Sequence, residues 1–200
     1  MLRPVNITSG PFDLARVRAA LQGRAVGALE RPRRAAVAVV LSEFENELSV
    51  LLVRRSEREG DPWSGHMALP GGLAQSSDAD LVQTARRETL EEVGIDLLRA
   101  ELLGGLDDIT PMRSSELAVR PFVFWLNEAA PVELSPEIAE ALWLPLAPFA
   151  EPALRRSHEV ELHGTRLSVP AYVLGQRVVW GMTLRLLDDF VGRLKAGHGL

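Results

Sequence analysis

Residues 35–43 read AAVAVVLSE, an apolar run with no polar break before Ser42. Its length and β-branched content fit a strand of the buried type. A second run, LSVLLVRRS, follows Asn46, so 35–55 predicts a hairpin that turns there. Upstream, Phe12, Leu14, Val17, Leu21 and Val26 recur at helical spacing between arginines, which predicts an amphipathic helix over 12–29. Pro11 stands near its start and Pro32 just past its end. The segment 57–66, with Gly60, Pro62 and Gly65, reads as a loop, and MALPGG follows as a short strand with a glycine turn.

A second helix is expected over 78–93, with Leu81, Val82 and Ala85 inward. Ser77 and Asp80 resemble a capping box, and Gly94 is positioned as its C-terminal cap. Strands are expected near 101–106 and 117–126. Residues 127–136 form a proline-bearing loop before EIAEALWLPL, and 158–174 reads as a hairpin turning at His163–Gly164. Leu184, Leu187, Phe190, Val191 and Leu194 define a C-terminal helix over 182–194. There is no internal repeat.

Composition narrows the function classes. Two hundred residues suit one domain with a real core. The net charge of −5 argues against a general nucleic-acid or membrane-surface binder, while leaving room for a local basic pocket. Without cysteine the chain has no disulfide, no thiolate metal site and no cysteine nucleophile. No apolar run reaches membrane-spanning length and no apolar leader stands at the N-terminus, so a soluble cytoplasmic protein is expected.

The chemistry concentrates in 70–95, PGGLAQSSDADLVQTARRETLEEVGI. Glu88, Glu91 and Glu92 lie at i, i+3 and i+4, on one helical face. Like charges so placed repel, and a hard divalent cation with oxygen ligands is the natural counter-charge. Gly71 and Gly72 allow backbone to approach metal or phosphate closely. Arg54, Arg55 and Arg58 are either solvated strand-end residues or bidentate clamps for a phosphorylated substrate. His66 reads as incidental to the chemistry, Trp63 as a packing plug or a base-stacking ring, and Asp107–Asp108 as turn residues.

The stretch from Arg87 to Ile95, REtlEEvGI, resembles the Nudix box, G-x5-E-x7-R-E-U-x-E-E-x-G-U. Thr89 replaces an apolar residue. Counted back from Arg87, the pattern puts its first glutamate at Ala79 and its glycine at Leu73, so Gly72 comes one residue early. The coenzyme A pyrophosphatase subfamily has this longer spacing and an upstream motif, LLTxRSx3Rx3Gx3FPGG. The chain matches that motif at Leu51, Leu52, Arg55, Ser56, Gly65, Pro70, Gly71 and Gly72, with Val53 for Thr and Leu69 for Phe. The loop is one residue longer, and the motif's arginine falls on Gly60, with Arg58 the nearest substitute. EIAEALWLPL and VVWGMT extend the resemblance over about 35–190.

The resemblance implies an α/β fold of mixed α+β type, an α/β/α sandwich with a mixed central sheet, in a single domain over 1–200. It implies Mg²⁺ or Mn²⁺ held by Glu88, Glu91, Glu92 and the Gly71 backbone, with Arg87 orienting the carboxylates. Glu137 is the first choice for an additional catalytic acid, with Glu116 second. Arg54, Arg55, Arg58, Gly71 and Gly72 would contact the substrate, a nucleoside diphosphate derivative. Coenzyme A or its acyl derivatives, cleaved to 3′,5′-ADP and 4′-phosphopantetheine, leads among substrates. ADP-ribose, a dinucleotide, a nucleoside triphosphate and a non-catalytic nucleotide sensor are the alternatives. Family habit and the terminal helices point to a homodimer.

Overall fold

The computed structural model describes residues 11–57, 65–112, 114–162 and 165–196. The expected hairpin is present as β1 (Arg33–Phe44) and β2 (Glu47–Arg55), paired from Leu41↔Val50 to Phe44↔Glu47. Glu45 and Asn46 both have positive φ, 52° and 65°, the backbone of a tight hairpin turn whose twist suits the strands.

Above that turn β1 and β2 splay apart, and the next segment fills the wedge. β3 (Met67–Ala68) pairs with β2 at Val53–Arg54, and β4 (Gly71–Leu73) pairs with β1 at Ala35–Val37. On its other edge β1 runs parallel to β6 (Leu117–Trp125), from Arg33↔Leu117 to Leu41↔Trp125. β5 (Glu101–Gly105) flanks β6, and β7 (Ile138–Pro145) flanks β2. All pairings except β1–β6 are antiparallel, so the seven-stranded sheet is mixed.

The unbroken apolar character of β1 follows from cover on both faces. Ala35, Val37, Val39 and Leu41 pack with Val17 of α1 (Leu14–Leu21) and Leu187 and Phe190 of α3 (Gly181–Ala196). Ala36, Ala38 and Val40 pack on the other side with Ala85 and Val93 of α2 (Leu81–Val93). The result is the expected sandwich, a mixed sheet between helices. A second sheet of three antiparallel strands, β8 (Arg155–Leu162), β9 (Thr165–Leu174) and β10 (Arg177–Trp180), precedes α3. The first two are the expected 158–174 hairpin, begun three residues earlier. Its turn at His163–Gly164 lies outside the described residues, and β10 was not expected.

Two helices are shorter than their periodicity predicts. The first ends at Leu21, not 29: Gln22 leaves helical backbone, and Gly23 turns at φ 68°. Beyond it Gly27 and Leu29 donate their N–H groups to Asp107 and Asp108. α2 begins at 81, not 78, because Asp80 is itself the N-cap, its side chain accepting from Gln83 N at 2.8 Å. The C-terminal end is as expected, Gly94 capping it in left-handed backbone at φ 71°. Among the described residues no helix is long and apolar enough to cross a membrane.

Candidate active site

β4 and α2 build the site together. A Cβ on Gly71 would lie 2.3 Å from Ala36 O and 2.6 Å from Val37 Cα, so only glycine permits β4 to dock on β1 here. A Cβ on Gly72 would instead lie 2.5 Å from the Glu88 carboxylate carbon. The missing methyl leaves the niche in which that carboxylate rests. Glu92, one turn on, is buried and accepts a hydrogen bond from Gly71 N at 3.0 Å. The two glycines thus meet two of the three box glutamates.

Arg87 ties the remaining groups. Its Nε and Nη2 grip both oxygens of Asp78 at 2.9 and 3.0 Å, the bidentate fork that favours arginine over lysine. Nη1 donates to Glu88 at 2.9 Å and to Glu91 at 3.0 Å, and Nη2 also reaches Leu73 O at 3.1 Å. Asp78 further accepts from Gln75 N at 3.0 Å and Thr84 Oγ1 at 2.9 Å. The hydrogen bond from Arg87 holds the Asp78 carboxyl well below the ordinary range, and the same bond raises Arg87. Asp78 is the residue that sequence reasoning did not assign. Its signal was an acid just upstream of α2, at the point where the box spacing fails to align. Thr89 stands at an apolar position because its hydroxyl donates to Ala85 O at 2.7 Å, so the buried face carries no unsatisfied group.

The electrostatics differ among the three glutamates. Burial pushes Glu88 up. Burial raises Glu92 to about 7, against the lowering effect of Gly71 N–H, with Glu88 and Glu137 adding repulsion and Arg55 relief. Glu91 is 56% exposed, against 17% for Glu88, and is held by Arg87. Among the described residues, three or more acidic or histidine side chains do not converge on one point. The donor set is nevertheless all oxygen, suited to a hard cation, and the niche at Gly72 is one that a Cβ would fill. Burial raises Glu88 although Arg87 pairs with it, and raises Glu92 although Arg55 acts on it, so a further cation at these carboxylates would be favoured. On these observations the residues fit a divalent metal.

The other expected residues separate. The loop after β6 is tied to the end of α2 by Glu133 N to Val93 O at 2.9 Å and Ser135 N to Glu92 O at 3.0 Å. Ser56 N to Glu137 O at 2.8 Å joins it to the end of β2, and Glu137 lies close enough to influence Glu92. Arg55 is brought to the same place. Arg54 points to the opposite face of the sheet, with Met67, where it pairs with Glu140 at 3.5 Å. Glu140 in turn takes a bidentate contact from Arg177 of β10. Arg54 is therefore part of a strap between the two sheets, because neighbouring strand residues face opposite ways. Arg58 and Trp63 lie outside the described residues. The His66 ring stands edge-on to Trp180 at 4.9 Å. Asp107 and Asp108 are more than turn residues: the Asp108 side chain is buried between Arg34 and Arg120, and Asp107 pairs with Arg193 at 2.6 Å. A concavity of about 380 Å³ beside α3 is lined by Asp107, Asp108, Arg185, Asp188 and Asp189, and Arg193 and Arg155 pair with three of these acids.

Comparison with known proteins identifies the family and the fold. The family model of the NUDIX domain matches residues 32–162. An uncharacterised protein of Schizosaccharomyces pombe is 39% identical over 65% of this chain and 46% of its own length. The chain spans about half the length of that relative and of two Arabidopsis thaliana Nudix hydrolases. The human mitochondrial coenzyme A diphosphatase is 30% identical over 90% of this chain and 77% of its own. Among solved structures, a MutT/nudix family protein from Enterococcus faecalis superposes with a TM-score of 0.56 at 19% identity, covering 92% of this chain and 70% of that one. The likeness is one of fold. Nudix hydrolases generally use divalent metal ions such as Mg²⁺. With the box on β4 and α2, the mixed sheet between helices, and a family match over most of its length, this chain belongs to the Nudix family.

Proposed function

We propose that the protein is a metal-dependent hydrolase of the diphosphate linkage in a nucleotide derivative, and that its substrate is coenzyme A or an acyl-coenzyme A. The reaction would give 3′,5′-ADP and 4′-phosphopantetheine. The observation that carries the reaction type is the seating of Glu88 and Glu92 on Gly72 and Gly71, with Arg87 locked on Asp78. The substrate reading rests on the spacing of the box, the motif at 51–72, and the similarity to a relative named as a coenzyme A diphosphatase.

A diphosphate repels both the acidic face of α2 and an attacking oxygen. Mg²⁺ or Mn²⁺, held by Glu88, Glu91, Glu92 and the Gly71 backbone, would neutralise that charge and acidify a bound water. The chain's own residues do the rest. Arg87 keeps Glu88 and Glu91 in place without contacting substrate, so it is a positioning residue. Glu92, which burial raises to about 7, is suited to accept the proton of the attacking water, since a base works best with a pKa near the working pH, and Glu137 stands close enough to share that role. Arg55, beside them at the end of β2, would meet a phosphate oxygen.

A substrate panel with products identified by mass spectrometry tests this. Coenzyme A is expected to yield the two named products when Mg²⁺ or Mn²⁺ is added, and none in excess chelator. Rapid cleavage of ADP-ribose, a dinucleotide or a nucleoside triphosphate with coenzyme A untouched would overturn the substrate. Undiminished hydrolysis in chelator would overturn the metal.

A further inference from the structure

A second charged cluster shares the α2 face of the sheet with the catalytic glutamates. In the strand register Gly72 faces Ala36, and Ala36 faces Arg120 on β6. These three form a row across the sheet, their side chains on one side. Arg34 lies two residues along β1 from Ala36, on that same side, beside Ala74, whose N–H bonds Arg34 O at 2.9 Å. With strands about 4.8 Å apart, Arg120 stands roughly 10 Å from Gly72.

Both guanidinium groups are drawn onto Asp108, from Arg34 Nη2 at 3.1 Å and from Arg120 Nε in a shorter contact. The Asp108 side chain is fully buried and also accepts from Leu29 N at 2.8 Å. Asp108 is fixed beside the outer edge of β6 by the Ile109↔Val119 bridge. It therefore holds the two cations over β6, away from the glutamates. Two positive groups share one carboxylate, leaving one unit of positive charge in excess. Arg34 remains 32% and Arg120 17% exposed. Among the described residues Asp108 engages one nitrogen of each, and Arg34 Nε has no hydrogen-bond partner. A guanidinium has five donors, so Asp108 leaves further donors on each arginine, although the Arg34 Nε is itself buried.

We infer that Arg34 and Arg120, preset by Asp108, form an anion subsite for a phosphomonoester of the substrate that is separate from the diphosphate being cleaved. The distance from Gly72 suits a group carried elsewhere on the same nucleotide. The pairing on a buried carboxylate sets the forks before the ligand arrives, which lowers the ordering cost of binding. The inference deepens the proposed function, and rests on it only for the identity of the substrate. A nucleotide without the extra phosphate would leave this positive charge unpaired.

The test separates the two. Binding of adenosine 3′,5′-bisphosphate and of 5′-AMP is measured by calorimetry, with no turnover involved. The wild-type protein is expected to hold the bisphosphate at least about tenfold tighter, the effect of one or two charge-assisted hydrogen bonds. In Arg34→Gln and in Arg120→Gln that ratio should fall towards one, with folding checked by thermal melting. If either variant fails to fold, Arg34→Lys and Arg120→Lys keep the charge but lose the fork and should lower the ratio part-way. In hydrolysis, the kcat/KM ratio of coenzyme A to its 3′-dephospho form should collapse in the same variants, through KM. Equal affinity of the wild-type protein for the two nucleotides overturns the subsite even if coenzyme A is cleaved. A preserved ratio in folded variants also overturns it. A wild-type preference for the bisphosphate that disappears in the variants, without any diphosphate hydrolysis, upholds the subsite and overturns the function.

Discussion

At Gly71 and Gly72 a single methyl group distinguishes stability from activity. Gly71→Ala drives a Cβ into the backbone of β1, which cannot retreat without unpairing the strand. It should lower stability by about 1–3 kcal/mol or more, read as a fall in Tm. Gly72→Ala meets only the end of the Glu88 side chain, so the fold should survive while that carboxylate is displaced. A displacement of about 1 Å at a reacting centre costs on the order of 10²-fold in rate, so kcat should fall with Tm nearly unchanged. Glu92→Gln should lower kcat by about 10²-fold or more, since several kcal/mol of charge stabilisation pass through its carboxylate. Wild-type turnover in that variant would remove Glu92 from the site. Glu92 also leaves a signature in the metal-free protein. Its folded pKa of about 7 lies above the ordinary 4.5, so folding favours the protonated form. Its stabilising contribution is complete below pH 4.5 and is lost as pH rises through about 7. Melting in chelator should show that decline, and Glu92→Gln should flatten it.

At the scale of the element, α2 works as a rigid bar whose N-terminal loop locks its charges. Asp78 lies outside the helix, yet it takes the Arg87 fork, and Arg87 distributes its remaining donors to Glu88, Glu91 and Leu73 O. Asp78→Asn keeps the shape and removes the charge that orients the arginine. It should reduce metal affinity or kcat about 10–100-fold, as outer ligand-orienting partners do. Metal titration of the folded variant, by calorimetry, checks this. An unchanged affinity and rate would reduce Asp78 to a loop contact. The element also explains why the helix start was misplaced in sequence. Ser77 and Asp80 match a capping box, but the helix is capped by Asp80, whose backbone is extended and whose side chain accepts from Gln83 N, and Asp78 is committed to Arg87.

At the scale of the molecule, ion pairs join segments far apart in the chain. Asp108 binds Arg34, Arg120 and Leu29 N; Glu140 binds Arg54 and Arg177; Asp107 joins Gly27 to Arg193. Burial tends to raise Asp108, but the hydrogen bond from Arg120, with Leu29 N–H and the charge of Arg34, outweighs it and holds the carboxyl below 3.8. The stabilisation is therefore present above about pH 4 and lost as pH falls through the lower folded value. Asp108→Asn breaks a buried ionic cluster and should cost about 3–5 kcal/mol at neutral pH. Denaturant unfolding at pH 7 and pH 3 should show the gap between wild type and variant narrowing in acid. A constant gap would mean that the carboxylate charge is not what matters.

The sequence alone determined what rests on local spacing. The apolar run of β1, the turn at Asn46, the glycine cap of α2 and the stripe on α3 are readable because period and turn chemistry act within a few residues. The box was legible for the same reason, since three glutamates on one helical face and a paired glycine are neighbours along the chain. Tertiary structure decided everything that depends on which strands adjoin. Alternation along β2 sent Arg55 to the glutamates and Arg54 to the far face, although the two are adjacent in sequence. The parallel pairing of β1 with β6 set Arg120 in line with Gly72, and the same sheet brought Asp108 between Arg34 and Arg120. Such contacts cross dozens of residues of chain and leave no local period. The sheet has to assemble before a pair of apparent turn aspartates becomes a buried counter-ion and two scattered arginines become neighbours.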